Sequence, residues 1–303
     1  MSIQELFEAS KEGDFARVKE LLERDVPVNQ RNQRDRTPLF LASYHGHPDI
    51  VQCLIDARAI LNISDSDGRT PLFWASARDH LTVVQCLVEA RATLDTRDSD
   101  GWTPLFCASY HNHIDVVRYL VGAKAMPDIP DSYGDTPLLW ASDCGYRAIV
   151  HCLVDARAKL DISDSDGGTP LLWASYYGYL GTVQCLVGAR ATLDIPDSDG
   201  RTPLFHASEN DHPDVVECLV EAGAWIYSCD KNDKTSLDFS EENSKMRKIL
   251  MTSDQAWHPT LHSLTSKKIQ ETIQTIMTIW SCRNCPITNL PPELLFLIFN
   301  FLF

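Results

Sequence analysis

Apolar and polar positions along this chain recur every 33 residues: the tripeptide Thr-Pro-Leu begins at Thr37, Thr70, Thr103, Thr136, Thr169 and Thr202 without a single insertion. A fixed period of this length predicts stacked copies of one small unit. In the copy Asp65-Ser66-Asp67-Gly68-Arg69-Thr70-Pro71-Leu72, Asp-Gly supplies a tight turn, because glycine tolerates positive φ. Thr70 then predicts an N-cap, with Pro71 at the first helical position, where a missing N–H costs nothing. Leu72, Ala75 and Ser76 fall at helical spacing, and the small residues admit a neighbouring helix. After a break at Asp79-His80, Val83, Val84, Cys86, Leu87 and Val88 mark a second helix. Neither helix can bury its apolar side by itself. The predicted fold is therefore all-α, a solenoid of helix-turn-helix units joined by β-turn fingers, each unit stable against its neighbours.

The pattern resembles the ankyrin repeat, whose motif runs Asp-x-x-Gly-x-Thr-Pro-Leu-His-x-Ala-Ala-x-x-Gly-His. The resemblance divides the chain into an opening cap (residues 1–33), six repeats (34–230) and a degenerate closing repeat (231–253). Leu6, Ala9, Gly13, Val18, Leu21 and Leu22 carry the opening unit; Asp233, Thr235, Leu237, Ile249 and Leu250 carry the closing one. This chain departs from the motif at two places. The histidine after Thr-Pro-Leu is Phe40, Phe73, Phe106, Leu139, Leu172 and Phe205, which predicts a more apolar inner core. The glycine ending the second helix is Arg58, Arg91, Lys124, Arg157 and Arg190, with Gly223 keeping the motif. If those cations hold the left-handed conformation, each costs about 1 kcal/mol, and a cation at a helix C-terminus returns about 0.3–1 kcal/mol.

The five cations form one row, and the turns carry an acidic one: Asp65 and Asp67, Asp98 and Asp100, Asp131, Asp164 and Asp166, Asp197 and Asp199. Both rows are read as solvated edges. The alternative is that acidic fingertips steer a basic partner, so that neutralising Asp67, Asp100, Asp166 and Asp199 slows association at low salt. The whole chain carries a formal net charge of −15 over 303 residues, against the basic stripe that nucleic-acid binding needs. No apolar run reaches the ~20 residues of a membrane span, and Met-Ser-Ile-Gln-Glu is unlike a signal peptide. An intracellular monomer, cytoplasmic or nuclear, is expected.

Ten cysteines are present, but Cys53, Cys86, Cys152, Cys185 and Cys218 share one register of the second helix, with Tyr119 in the same slot. One repeat spacing is too far for a disulfide, so they are read as small core residues. Cys282 and Cys285, with His258 and His262 upstream, give Cys-x2-Cys and His-x3-His, both zinc-ligand spacings. Their order is reversed relative to the common finger and the intervening pattern is continuously helical, so free thiols are expected and no metal is assigned. The Asp-Ser-Asp-Gly turns lack the glutamate of a calcium loop, Trp74 standing at its position counted from Ile63. No nucleotide, hydrolase or kinase signature is present. His45, His80, His113 and His212 lie at or beside the inter-helix break and are read as structural. Neither catalysis nor a cofactor is expected.

A protein partner is. Ankyrin resemblance implies binding through the turn tips and the inner face of the first helix. At the tips these are Arg36, Arg69, Trp102, Asp135, Gly168 and Arg201. On the helix they are Tyr44, His45, Arg78, Tyr110, His111, Asp143, Tyr176, Tyr177, Glu209 and Asn210. Tyrosine, tryptophan and arginine dominate binding hot spots, and an exposed Trp102 beside Tyr110 and near Tyr176 is the predicted anchor. Trp74, Trp140 and Trp173 are read as core.

Residues 254–285 read as an amphipathic helical linker, with Ile269, Ile273, Ile276 and Trp280 spaced by three or four. In residues 286–303, Leu-Pro-Pro-Glu-Leu-Leu begins a helix that is apolar nearly all round. Leu290, Pro291, Glu293, Leu294, Ile298, Phe299 and Leu302 resemble the opening of an F-box, truncated, whose first helix docks the Skp-type adaptor of cullin–RING ubiquitin ligases. A SOCS box, which binds elongin, is the other resemblance, but Leu264-Thr-Ser-Lys-Lys268 lacks its cysteine. Two functions remain open: a substrate-recruiting subunit of such a ligase, or an ankyrin scaffold whose tail caps the stack.

Overall fold

The structure, a computed structural model, describes residues 2–240 and 245–255. The chain divides into two compact units, Met1–Met251 and Thr252–Phe303, and the helix pairs below belong to the first. The opening pair is α1 (Ser2–Glu12) and α2 (Phe15–Glu23). Six regular pairs follow: α3 (Pro38–His45) with α4 (Pro48–Asp56), α5 (Pro71–Ala77) with α6 (Leu81–Glu89), α7 (Pro104–Tyr110) with α8 (Ile114–Gly122), α9 (Pro137–Asp143) with α10 (Arg147–Asp155), α11 (Pro170–Tyr176) with α12 (Leu180–Gly188), and α13 (Pro203–Glu209) with α14 (Pro213–Glu221). A 3-10 turn, Ser236–Phe239, and α15 (Lys245–Gln255) come last.

Each first helix starts as its sequence requires. The hydroxyl of Thr37, Thr70, Thr103, Thr136, Thr169 or Thr202 accepts the N–H three residues on, as in Phe40 N to Thr37 Oγ1 at 3.1 Å, and proline follows the cap. First helices stack on first helices, second helices on second, and the first row packs more closely. Between the rows runs one continuous core: Leu39, Leu72, Leu105, Leu138, Leu171 and Leu204 from the first helices, Leu54, Leu87, Leu120, Leu153, Leu186 and Leu219 from the second, all buried. The residues in place of the motif's histidine, Phe40 through Phe205, are buried as well, so the inner core is as apolar as expected.

Arg58, Arg91, Lys124, Arg157 and Arg190 all adopt positive φ, between 61° and 74°. The backbone explains why the conformation survives without glycine. Arg58 N–H reaches Ile55 O at 2.9 Å and Ala59 N–H reaches Leu54 O at 2.9 Å, the paired bonds that satisfy a helix's last carbonyls. Ala59 and its counterparts Ala92, Ala125, Ala158 and Ala191 are buried by this turn.

Three hydrogen-bond ladders tie neighbouring units together. His47, His80, His113 and His212 donate from Nε2 to carbonyls of the preceding unit, Lys11 (3.0 Å), Tyr44 (3.2 Å), Ala77 (3.1 Å) and Tyr176 (3.0 Å). His47, not His45, therefore fills the first of these slots, and Tyr146 and Tyr179 stand in the fourth and fifth. Gly178 lies under His212 with φ +74°, and a Cβ there would sit 2.5 Å from the ring. In the second ladder, Asn29, Asn62, Asp95, Asp128, Asp161 and Asp194 accept the N–H of Ile60, Thr93, Met126, Lys159, Thr192 and Trp225 at 2.7–3.0 Å. In the third, finger joins finger: Ser99 N–H to Asp67 O, Ser132 N–H to Asp100 O and Ser198 N–H to Asp166 O, each at 2.9 Å. At the closing end, Phe239 packs edge-on against Phe205 at 5.0 Å, and Met246 and Leu250 are buried.

The cysteine register differs from its sequence reading. Cys53, Cys86, Cys152, Cys185 and Cys218 are half-buried, because this slot lies at the margin of the second helices and packs against the core from outside it. Desolvation raises every one of these thiols above its ordinary value. Cys107, in α7, is buried and pushed up to about 12, chiefly by desolvation. It is expected to resist iodoacetamide at pH 8 until the stack unfolds, since the thiolate is the nucleophile. Peptide mass mapping after labelling with and without urea measures this.

Candidate functional site

The fingers are built around a buried carboxylate. Asp98 Oδ1 accepts the backbone N–H of Asp100 (3.0 Å) and Trp102 (2.8 Å), closing the turn, while Gly101 N–H bonds Asp98 O at 3.1 Å. Asp65, Asp131, Asp164, Asp197 and Asp230 do the same. Asp65, Asp98 and Asp131 are buried. This corrects the reading of the whole acidic row as a solvated edge. The second aspartates, Asp67, Asp100, Asp166 and Asp199, are exposed; the first ones are structural.

The other oxygen of Asp98, Asp131, Asp164 and Asp197 takes a hydrogen bond from a neighbouring side chain, while that of Asp65 is met only by an ion pair, and that choice shapes the surface. Arg36 pairs with Asp65 (3.7 Å), Arg69 Nε reaches Asp98 (3.3 Å) and Trp102 Nε1 reaches Asp131 (3.3 Å), each from the preceding finger. Asp135 and Gly168, at the next two equivalent positions, supply no donor. There the donor comes from the first helix instead: Trp173 Nε1 to Asp164 at 2.7 Å and His206 Nε2 to Asp197 at 2.8 Å. Gly168 is required by this arrangement, since a Cβ would lie 2.3 Å from Trp173 Nε1.

Repetition places the predicted contact residues on one face, because equivalent positions of successive units point the same way. They form three groups. In the first, Tyr44 lies 4.9 Å from Trp74 and from His45, Arg78 sits over the Tyr44 ring at 4.4 Å, and Arg36 and Arg69 stack on Phe40 and Trp74. In the second, Tyr110 lies 4.7 Å from both Trp102 and Trp140, with His111 beside it. In the third, Tyr176 contacts Trp173, Tyr177 and His206, and Arg201 lies over Phe205 and near Glu209. Two expectations change. Trp102 is half-buried and Tyr176 belongs to a different group, so the rings that Tyr110 joins are Trp102 and Trp140. Trp74, Trp140 and Trp173 are half-buried on this face rather than core, because their helix position lies on the finger side of the first helix and not between the two helix rows.

A family model described as "Ankyrin repeats (3 copies)" matches residues 6–98, 90–164, 148–235 and 171–255. The chain belongs to the ankyrin repeat family. Among curated proteins it is similar to "Putative ankyrin repeat protein PA3287" of Pseudomonas aeruginosa, 40% identical over 50 residues, which are 16% of this chain. The match spans 29% of that relative's length. Ankyrin repeats are a protein–protein interaction module, and among the described residues no helix is long and apolar enough to cross a membrane. The tail residues Leu290, Pro291, Glu293, Leu294, Ile298, Phe299 and Leu302, and the pairs His258/His262 and Cys282/Cys285, lie outside the described residues.

Within this ankyrin face, Asp135 is the position where the donor series turns acidic. Its carboxyl is raised to about 6, first by burial and then by Asp131, Asp164, Asp143 and Asp166. Asp143 is raised too, by burial and by Asp164. A carboxyl raised above its unfolded value contributes stability while protonated and loses it as pH rises from about 4 through about 6. Asp135→Asn is therefore expected to stabilise the stack at pH 7 by on the order of 1 kcal/mol, discounted for solvent screening. The gain disappears below about pH 4, where wild-type Asp135 is also neutral. Urea midpoints at the two pH values measure it.

Proposed function

We propose that the finger and first-helix face binds a protein client, with Trp102, Tyr110 and Trp140 as its centre. Tyr44, Arg36, Arg69 and Arg78 lie on one side, and Asp135, Tyr176, Tyr177 and Arg201 on the other. The observation that carries this reading is the aromatic group of Trp102, Tyr110 and Trp140, with Tyr110 4.7 Å from each indole, left half-open by first helices that bury their leucines and phenylalanines. Such rings supply area at low entropic cost and are where interface energy concentrates. The likeness of residues 290–302 to an F-box helix supports a further role for this chain: a client-recruiting subunit of a cullin–RING ubiquitin ligase, joined through a Skp-type adaptor, or through elongin if the tail acts as a SOCS box. Affinity purification from cells with and without residues 286–303 tests the second role. Tail-dependent recovery of Skp, elongin or a cullin supports it; recovery of none leaves the chain an ankyrin scaffold.

A further inference from the structure

On each side of the central rings the client-binding face carries a charge without an ion-pair partner among the described residues, and the two are of opposite sign; Arg201, further along, is already paired with Glu209. Arg78, at the C-terminal end of α5, is exposed; it rests on the Tyr44 ring at 4.4 Å and has no ion-pair partner among the described residues. Arg36 and Arg69, on the same side, are already held by Asp65 and Asp98, so Arg78 is the cation free to answer a ligand. Two units further along, Asp143 ends α9 beside Asp135, again without a cationic partner among the described residues. Between them stands the stacked pair Tyr110 and Trp140, 4.7 Å apart and inclined by 18°.

Resting on the proposed use of this face, we infer that the client presents an extended segment with a carboxylate side chain at Arg78 and a lysine or arginine at Asp143 and Asp135, apolar residues between them covering Tyr110 and Trp140. Charge complementarity selects this occupant. A uniformly acidic segment would meet Asp135, Asp143 and Asp164, and a uniformly basic one would meet Arg36, Arg69 and Arg78; like-charge juxtaposition of this kind suppresses wrong partners. The spacing follows from the repeat. Two helix layers of about 10 Å each separate the charges by about 20 Å, which an extended chain covers in about six residues at ~3.3 Å each. The half-buried carboxylates also gain from such a partner, because a cation offsets the mutual repulsion of Asp131, Asp135, Asp143 and Asp164.

A displayed random-peptide library panned against the full 303-residue chain tests this. Enriched peptides are expected to place an acidic and a basic residue about six positions apart with apolar residues between them. Synthesised and labelled, the best of them is then measured by fluorescence anisotropy. Exchanging its basic residue for glutamate is expected to weaken binding at least tenfold, and Asp143→Arg to restore most of the loss; Arg78→Glu should act likewise at the other end. Enrichment without this charge pair, or affinity for Asp143→Arg and Arg78→Glu within twofold of wild type, overturns the inference. If Tyr110→Ala still abolishes binding in that case, the face is a client site and the charge pairing is wrong. If enriched peptides ignore Tyr110→Ala, or none is enriched, the reading of the face itself fails. Both charged positions are solvent-accessible, and circular dichroism confirms that each variant remains folded; Asp143→Asn, the smallest change, repeats the measurement without charge reversal.

Discussion

Replacing Phe106 with alanine is expected to destabilise the repeat stack by about 3–5 kcal/mol, the range for deleting a fully buried aromatic ring. Phe106 is 1% exposed, sits in α7 near the middle of the stack, and packs against Trp102 at a ring distance of 5.0 Å. It occupies the place where the motif has histidine, so nothing polar is lost with it. The cost is entirely the ring's transfer to water and the cavity left behind. A second consequence follows from architecture. Each unit contacts its immediate neighbours, so the stack is held by nearest-neighbour interfaces. Weakening a central unit by several kcal/mol separates the flanking units, and a single urea transition is expected to become two. Phe15→Ala, at a side chain 45% exposed, is the control, expected within about 0.5 kcal/mol of wild type. Equilibrium urea unfolding followed by circular dichroism measures both; a Phe106→Ala midpoint equal to that of Phe15→Ala would refute the assignment of this ring to the core.

The fold was legible because its determinants are local and repeated. Threonine caps, N1 prolines and finger glycines each fix a few φ and ψ angles, and 33-residue repetition then leaves side-by-side stacking as the way to bury the leucines of both helices. The face was legible as a set of positions, since Arg36, Arg69 and Trp102 occupy equivalent places. What each of those residues touches was not. The sequence predicts Trp102 as an exposed anchor, but its indole N–H bonds the buried Asp131 of the next finger, and that reach across units has no signature within one repeat. The position of Trp173 predicts a core residue; the missing side chain at Gly168 lets it turn toward Asp164. The cross-unit ladders, however, have a regularity of their own in the sequence. Residues 29, 62, 95, 128, 161 and 194 are all asparagine or aspartate at the repeat spacing. An acidic row at that spacing reads equally well as solvated charge or as turn scaffolding, and burial decides between them.

That distinction gives the second large effect. Asp98→Ala is expected to cost about 2–4 kcal/mol, because hydrogen bonds to a charged group are each worth about 1.5–3 kcal/mol and their loss is partly offset by water. Asp98 holds three donors: the N–H groups of Asp100 and Trp102, and Nε of Arg69 from the preceding finger at 3.3 Å. Asp100, two residues along, is exposed and contributes its backbone carbonyl to Ser132 rather than its side chain. Asp100→Ala is therefore expected to fall within about 0.5 kcal/mol of wild type. The two variants remove the same formal charge from the same finger, so a difference between them reports the hydrogen bonds and not the net charge. Asp98→Ala should also release Arg69 and loosen the joint between its finger and the next, shown by faster amide exchange at Ser99, whose N–H bonds Asp67 O at 2.9 Å. Equal urea midpoints for the two variants would return Asp98 to the solvated row and leave Arg69 without the anchor that fixes it on this face.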